Sequence, residues 1–130
     1  MEVIRPRQNP TQLGPAEWFT GLVMIDPIAT GPHVKLLSVH FAPGARTAWH
    51  THPFGQTLHV TEGAGFAQSR GQNIEAIRAG DTVHFEAGEE HWHGADPSNF
   101  MTHLAMQEIA DDGSDATWLE HVTDAEYHGR

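Results

Sequence analysis

The feature that most constrains the fold of this 130-residue chain is the close spacing of its turn signals. Thirteen Gly and eight Pro residues interrupt short apolar segments throughout the sequence. Between these breaks the residues alternate in polarity, as strands do, and few segments have room for a long helix. The pattern predicts an all-β sandwich or barrel, whose only helical turn follows the capping-box sequence between Thr123 and Glu126.

The strands are predicted by alternation and are bounded by the turn residues. We expect strands at 18–25, 33–42, 47–52, 56–61, 66–69, 74–77, 82–86, 91–94 and 100–108, with turns at 26–32 and 63–65. The length suits one compact domain, and no linker or low-complexity stretch divides it. Residues 1–17 lack periodicity, so we expect an N-terminal arm at 1–17 and one barrel domain at 18–130.

Composition excludes several kinds of partner. The formal net charge is −10, with 7 Lys and Arg against 17 Asp and Glu, so we expect no nucleic-acid binding and no attraction to an acidic membrane surface. The absence of Cys excludes disulfides and thiolate metal sites. No signal-peptide pattern or membrane-length apolar run is present, which favours a cytoplasmic protein.

Histidine is unusually frequent, and its spacing indicates a metal site. The chain has 11 His, more than its Lys and Arg together. His50 and His52 are two residues apart, so a strand would place both imidazoles on one face. Gln56 follows a Pro-Phe-Gly break that can turn its amide oxygen towards the same ion. A second His-x-His pair, His91 and His93, follows another Gly turn.

Together the two segments resemble the paired signatures of the cupin superfamily. In the first, a Gly precedes the His-x-His pair, a fourth ligand and a closing Gly; Gly44, His50, His52, Gln56 and Gly63 match. In the second, Gly80, Gly88 and His91 match, while Glu86 stands where Pro is usual. The resemblance implies a single-domain jelly-roll β-barrel whose metal is held by His50, His52, Gln56 and His91.

A narrower resemblance covers residues 14–127. The stretches GARTAWHTHPFGQTL, GEEHWHGA and MTHLAMQE look like small bacterial cupin hydroxynitrile lyases and cupin domains of carboxymuconolactone-decarboxylase-like proteins. The resemblance implies Mn²⁺ as the cofactor and places His93, His103 and Gln107 in the pocket as catalytic candidates. It also implies pocket-lining roles for Leu37 and Val39. From ligand chemistry alone Fe²⁺, Co²⁺, Ni²⁺ and Zn²⁺ remain open.

Strand parity supports the catalytic candidates independently. His93 shares parity with His91, and His103 shares parity with Gln107, so each pair faces one way. Beside a dication these imidazoles should stay neutral, as a general base requires. The alternative is that His93 and His103 are hydrogen-bonded interior residues with no chemical role.

Gln56 bears on the reaction. Three neutral imidazoles and a neutral amide leave the full +2 charge on the ion, which suits anionic cyanide and alkoxide. The resemblance therefore implies reversible cleavage of (R)-cyanohydrins such as mandelonitrile to an aldehyde and cyanide. Two alternatives remain: a metal-dependent dioxygenase acting on a small aromatic or dione substrate, and a ligand-binding cupin without turnover. The family also implies a homodimer or homotetramer.

Overall fold

The expected all-β architecture with a C-terminal helical turn is confirmed. The computed structural model describes residues 1–6 and 8–130. Within them the strands are β1 (Gln12–Leu13), β2 (Phe19–Thr20), β3 (Val23–Thr30), β4 (Val34–Phe41), β5 (Arg46–Thr47), β6 (His50–Thr51), β7 (Gln56–Ser69), β8 (Glu75–Arg78), β9 (Thr82–Phe85), β10 (His91–Ala95), β11 (Met101–Glu108) and β12 (Thr117–Trp118). One short helix, α1 (Asp124–Tyr127), follows them.

The strands form one curled antiparallel sheet. Its main path runs β1-β3-β4-β11-β7-β10-β5-β2, with β8 and β9 paired to β7 and β6 paired to β10 and β12. The sheet therefore has two halves that face each other, and β7 belongs to both. Its first part pairs with β9 and β11, and its second part pairs with β8 and β10.

The predicted turn at 63–65 is wrong, because β7 runs without interruption from Gln56 to Ser69. Gly63 has a φ of 79°, and a Cβ built there would lie 1.9 Å from the Phe100 carbonyl oxygen. Glycine at this point therefore permits a bend and a close approach of two backbones inside a strand, rather than a chain reversal.

Two other predicted boundaries also differ from the structure. The strand expected at 18–25 breaks at Gly21, and β3 continues through the expected turn to Thr30. Pro27 is tolerated there because β1 pairs only with Met24 and Ile25, and the register with β4 shifts after Pro27. The strand expected at 47–52 divides into β5 and β6, which both pair with β10 but have different second partners, β2 and β12; β12 was not predicted.

The interior has two apolar clusters. The larger one fills the barrel between its two halves and includes Phe41, Leu58, Phe85 and Met101. The smaller one, built on Trp49, Trp92, Val122 and Tyr127, lies under α1. Both Trp residues therefore have packing roles, and the predicted capping box at Thr123 is confirmed.

Arg46 joins the barrel to α1. Its guanidinium is 5% exposed and donates to the Val122 carbonyl at 2.8 Å and to the Asp124 carboxylate at 2.7 Å. That carboxylate lies in the first turn of α1. Among the described residues, no helix has the length and hydrophobicity needed to span a bilayer, and the cytoplasmic location stays a prediction.

Replacing Gly63 by Ala should destabilise the protein by about 3 kcal/mol or more, because the new Cβ meets a backbone oxygen that cannot move aside. Gly71→Ala is the matched control, since Gly71 has a φ of 82° but open space around it. We expect that control to cost about 1 kcal/mol. Urea unfolding of both variants measures the difference, and equal losses would contradict the role assigned to Gly63.

Candidate metal centre

The two sheet halves enclose a cavity of ≈ 720 Å³. Six of the seven site residues predicted from the sequence line its polar end: His50, His52, Gln56, His93, His103 and Gln107. His91, the seventh, is fully buried beside Gln56. Leu37 and Val39 line the cavity as expected. The structure thus brings all the predicted residues together.

Three of the imidazoles are held in the same way. In each, Nδ1 lies within hydrogen-bond distance of a main-chain carbonyl: Ala48 for His50 (2.9 Å), Asp115 for His52 (2.6 Å) and Glu89 for His91 (2.8 Å). A carbonyl can only accept, so Nδ1 carries the proton and donates it. Nε2 of each neutral ring then keeps a lone pair, which is the state in which imidazole binds a metal.

The free nitrogens converge. One ring nitrogen from each of His50, His91 and His93 lies within 4.8 Å of the other two, close enough for the three to hold one ion. The His52 ring centroid is 5.0 Å from that of His50, and its buried Nε2 has no hydrogen-bond partner among the described residues. The sequence predicted His93 as a base rather than a ligand. Because His93 alternates with His91 on β10, its ring faces the same place as the ring of His91.

A contact between two acceptors shows that these residues suit a cation. Nε2 of His91 lies 3.0 Å from Oε1 of Gln56, and both atoms present lone pairs. Burial lowers the pKa of His91 to about 4, so protonation does not relieve this contact at neutral pH. A divalent ion would, because it accepts electron density from nitrogen and oxygen together. The donor set therefore fits a transition metal.

His93 and His103 form a second buried unit. Nδ1 of His93 lies 3.0 Å from Nε2 of His103, and the Phe41 ring packs against both imidazoles. Nε2 of His93 and Nδ1 of His103 have no partner among the described residues. Burial lowers the pKa of His103 to about 4 and that of His93 well below its usual value, so both are neutral at pH 7.

Gln107 is part of a chain of amide hydrogen bonds. Its Oε1 accepts from Nε2 of Gln56 at 3.2 Å, and its own Nε2 donates to Oδ2 of Asp115 at 2.9 Å. Lys35 lies 3.1 Å from the same carboxylate oxygen. Burial opposes ionisation of Asp115, but hydrogen bonds from Gln107 and Lys35 hold its pKa below the usual value.

Sequence reasoning missed four residues of this site: Lys35, Asp115, Trp118 and Trp18. Asp115 and Lys35 belong to no motif, and Trp118, whose ring stacks on His50 at a centroid distance of 4.6 Å, lies on the unpredicted strand β12. Trp18 stacks in turn on Trp118 at 5.2 Å and lines the same cavity. Of these residues, only Lys35 could have been found from the sequence, because it shares a face of β4 with the predicted lining residues Leu37 and Val39.

Comparison with known proteins agrees with this geometry. The family model described as Cupin domain matches residues 37–102. The (R)-mandelonitrile lyase of Granulicella tundricola is 55% identical over 130 residues, which are 98% of each chain. A cupin-like protein from Thermotoga maritima has a TM-score of 0.84 and 34% identity, covering 99% of this chain and 96% of that one. A polyketide cyclase from Streptomyces resistomycificus, at 14% identity and a TM-score of 0.75 over 98% and 91% of the chains, shares the fold.

Metal-free protein should lose stability as pH falls from 6.5 towards 4. Unfolded imidazoles bind protons near pH 6.5, whereas His91 and His103 in the folded chain resist protonation until about pH 4. Between these values the unfolded state binds more protons, so each such imidazole lowers the free energy of unfolding by up to ~1.4 kcal/mol per pH unit.

Urea unfolding in the presence of a chelator, at several pH values across this window, measures the slope. His103→Gln should make the profile shallower, whereas substitution of the exposed His33 by Gln should leave it unchanged. A slope that His103→Gln does not alter would contradict the assignment.

Proposed function

The chain belongs to the cupin family, and from this membership and its site we propose that it is a metal-dependent hydroxynitrile lyase. The reaction is the reversible cleavage of (R)-cyanohydrins such as mandelonitrile to an aldehyde and cyanide. The observation that carries the proposal is the buried His93–His103 pair, which faces the same cavity as a neutral set of metal ligands. The 55% identity to a lyase of that name supports the choice of reaction.

We propose that His50, His52, His91 and Gln56 hold the ion. Mn²⁺ is our first choice, and Fe²⁺, Co²⁺, Ni²⁺ and Zn²⁺ are the alternatives that a metal analysis would distinguish. When bound, the ion supplies a Lewis acid for the substrate hydroxyl. Because all four ligands are neutral, none of the ion's charge is cancelled by its direct ligands.

We assign the proton transfer to His93. One of its ring nitrogens lies within 4.8 Å of those of His50 and His91, and its Nε2 has no partner among the described residues. His93 would take the hydroxyl proton, and the electrons of the O–H bond would form the aldehyde carbonyl. The bonding pair of the C–C bond would leave with cyanide, which regains the proton as HCN. Gln107 lies at the polar end as a hydrogen-bonding residue for the substrate.

The apolar part of the cavity lining suits an aryl group. Phe19, Leu37, Val39 and Trp118 line it, and all present apolar surface. An aromatic ring placed there would leave water, and the hydroxyl and nitrile groups would point to the polar end. This arrangement supports an aromatic cyanohydrin, or an aromatic aldehyde with cyanide, as the small-molecule substrate.

Protein loaded with Mn²⁺ should release benzaldehyde from (R)-mandelonitrile, and His52→Ala should reduce both metal content and rate. In His93→Gln we expect metal to be retained while kcat falls by about 10²- to 10⁴-fold, the usual contribution of a general base. Benzaldehyde absorbance and elemental analysis measure the two effects. The exposed His33→Ala is the control.

Several outcomes would contradict the proposal. A wild-type rate no higher than that of His52→Ala would exclude the lyase activity. Oxygen consumption by iron-loaded protein with catechol or dione substrates would favour a dioxygenase. Metal binding without turnover of any substrate would favour a ligand-binding cupin.

We further propose a homodimer or homotetramer. Met24, Val34 and Met106, on β3, β4 and β11, are between 40% and 47% exposed, which is unusual for large apolar side chains on three neighbouring strands. Sedimentation velocity should therefore give a mass of two or four chains, and Met106→Lys should shift it towards one. A wild-type mass of one chain would contradict assembly.

A further inference from the structure

One carboxylate lies at the end of a hydrogen-bond chain that reaches the metal ligands. Oδ2 of Asp115 accepts from Nε2 of Gln107 at 2.9 Å, and Oε1 of Gln107 accepts from Nε2 of Gln56 at 3.2 Å. Oε1 of Gln56 then faces Nε2 of His91 at 3.0 Å. Asp115 itself is half-buried and paired with Lys35.

The direction of this chain is not arbitrary. An amide has one donor end and one acceptor end, whereas an ionised carboxylate can only accept. Reversing Gln56 alone would place its oxygen against the oxygen of Gln107. Reversing both amides would remove that conflict but would place the Gln107 oxygen against the negatively charged oxygen of Asp115.

Without a cation, the observed direction has a local disadvantage. It leaves the Gln56 oxygen facing the His91 lone pair, a contact that a reversed Gln56 amide would turn into a hydrogen bond. The carboxylate therefore opposes an orientation that the Gln56–His91 contact alone would favour. With a cation between them, both lone pairs become ligands and the conflict disappears.

We propose that Asp115 is a positioning residue that keeps the Gln56 carbonyl oxygen directed at the metal. The main-chain carbonyl of Asp115 also accepts from Nδ1 of His52 at 2.6 Å, so one loop residue orients two ligands. Lys35 holds the carboxylate in place from the other side. The inference rests on the metal site of the proposed function.

Asp115→Asn is the direct test, because it keeps size and leaves the backbone carbonyl that holds His52. An asparagine can present either an acceptor or a donor to Gln107, so the chain loses its fixed direction. We expect the Kd for Mn²⁺, measured by electron paramagnetic resonance titration, to rise by about 10- to 100-fold. The thermal midpoint of the metal-free variant should fall only slightly, because relief of the Gln56–His91 conflict partly offsets the loss of the ion pair with Lys35.

Asp112→Asn is the matched control. Asp112 lies in the same loop, and its carboxylate accepts from the backbone and hydroxyl of Ser114. It does not line the cavity. We expect its Kd for Mn²⁺ to equal that of wild type. Gln107→Met breaks the chain at its middle and should reproduce the loss in affinity, which keeps the test decisive if Asp115→Asn does not fold.

A second variant, Gln56→Glu, distinguishes a loss of amide orientation from a general loss of structure at the site. In Gln56→Glu the ligand is a carboxylate with two equivalent oxygens, so it needs no orientation. In that background Oε1 of Gln107 faces a carboxylate oxygen, so adding Asp115→Asn frees the Gln107 amide to donate there and should leave the Kd unchanged or lower it, the opposite of the effect in the wild-type background. An equal loss in both backgrounds, or none in either, would overturn the inference.

Different experimental results would contradict the positioning role of Asp115 and the lyase activity. If wild type binds Mn²⁺ and cleaves mandelonitrile while Asp115→Asn binds as tightly as wild type, only the positioning role is wrong. If wild type binds Mn²⁺ without cleavage and Asp115→Asn binds more weakly, the positioning role stands and the lyase assignment is wrong. Absence of Mn²⁺ binding by wild type would overturn both.

Discussion

The site depends on three hydrogen bonds from imidazole Nδ1 atoms to main-chain carbonyls. Each bond fixes the tautomer and the rotation of a buried ring, so that Nε2 is free at the point of convergence. For His50 and His91 the carbonyl lies two residues earlier in the same segment, and the local backbone orients the ring. For His52 it belongs to Asp115, so this imidazole is oriented only when the loop before β12 packs against the barrel.

This difference explains which parts of the site were predictable from sequence. His50, His52, His91 and His93 follow from strand parity, because alternate residues share a face over a few positions. Asp115 could not be found in this way, since it reaches His52 across 63 residues through a loop without periodicity. Trp118 was missed for a similar reason: β12 is two residues long and gains its place from pairing with β6.

Prediction from local sequence was limited in the same way at the glycines. Gly63 was interpreted as part of a turn because glycine punctuates most turns, yet its positive φ lies within β7. Local sequence cannot distinguish a reversal from a bend that lets two backbones approach. The contact that decides between them, with the Phe100 carbonyl, comes from a distant part of the chain. The helix at Thr123 was predictable because its capping box is entirely local.

The distribution of charge around the site bears on product release. In the proposed role Asp115 would place its negative charge two amides away from the His91 contact, where it would orient Gln56 without cancelling charge as a direct ligand would. If His50, His52, His91 and Gln56 hold a dication, its uncompensated charge would attract cyanide, so product release would be easier with cyanide as a neutral molecule. The His93–His103 pair lies beside the ligands and would already hold the hydroxyl proton. Returning that proton to cyanide would free HCN, and the low pKa of both imidazoles favours giving it up.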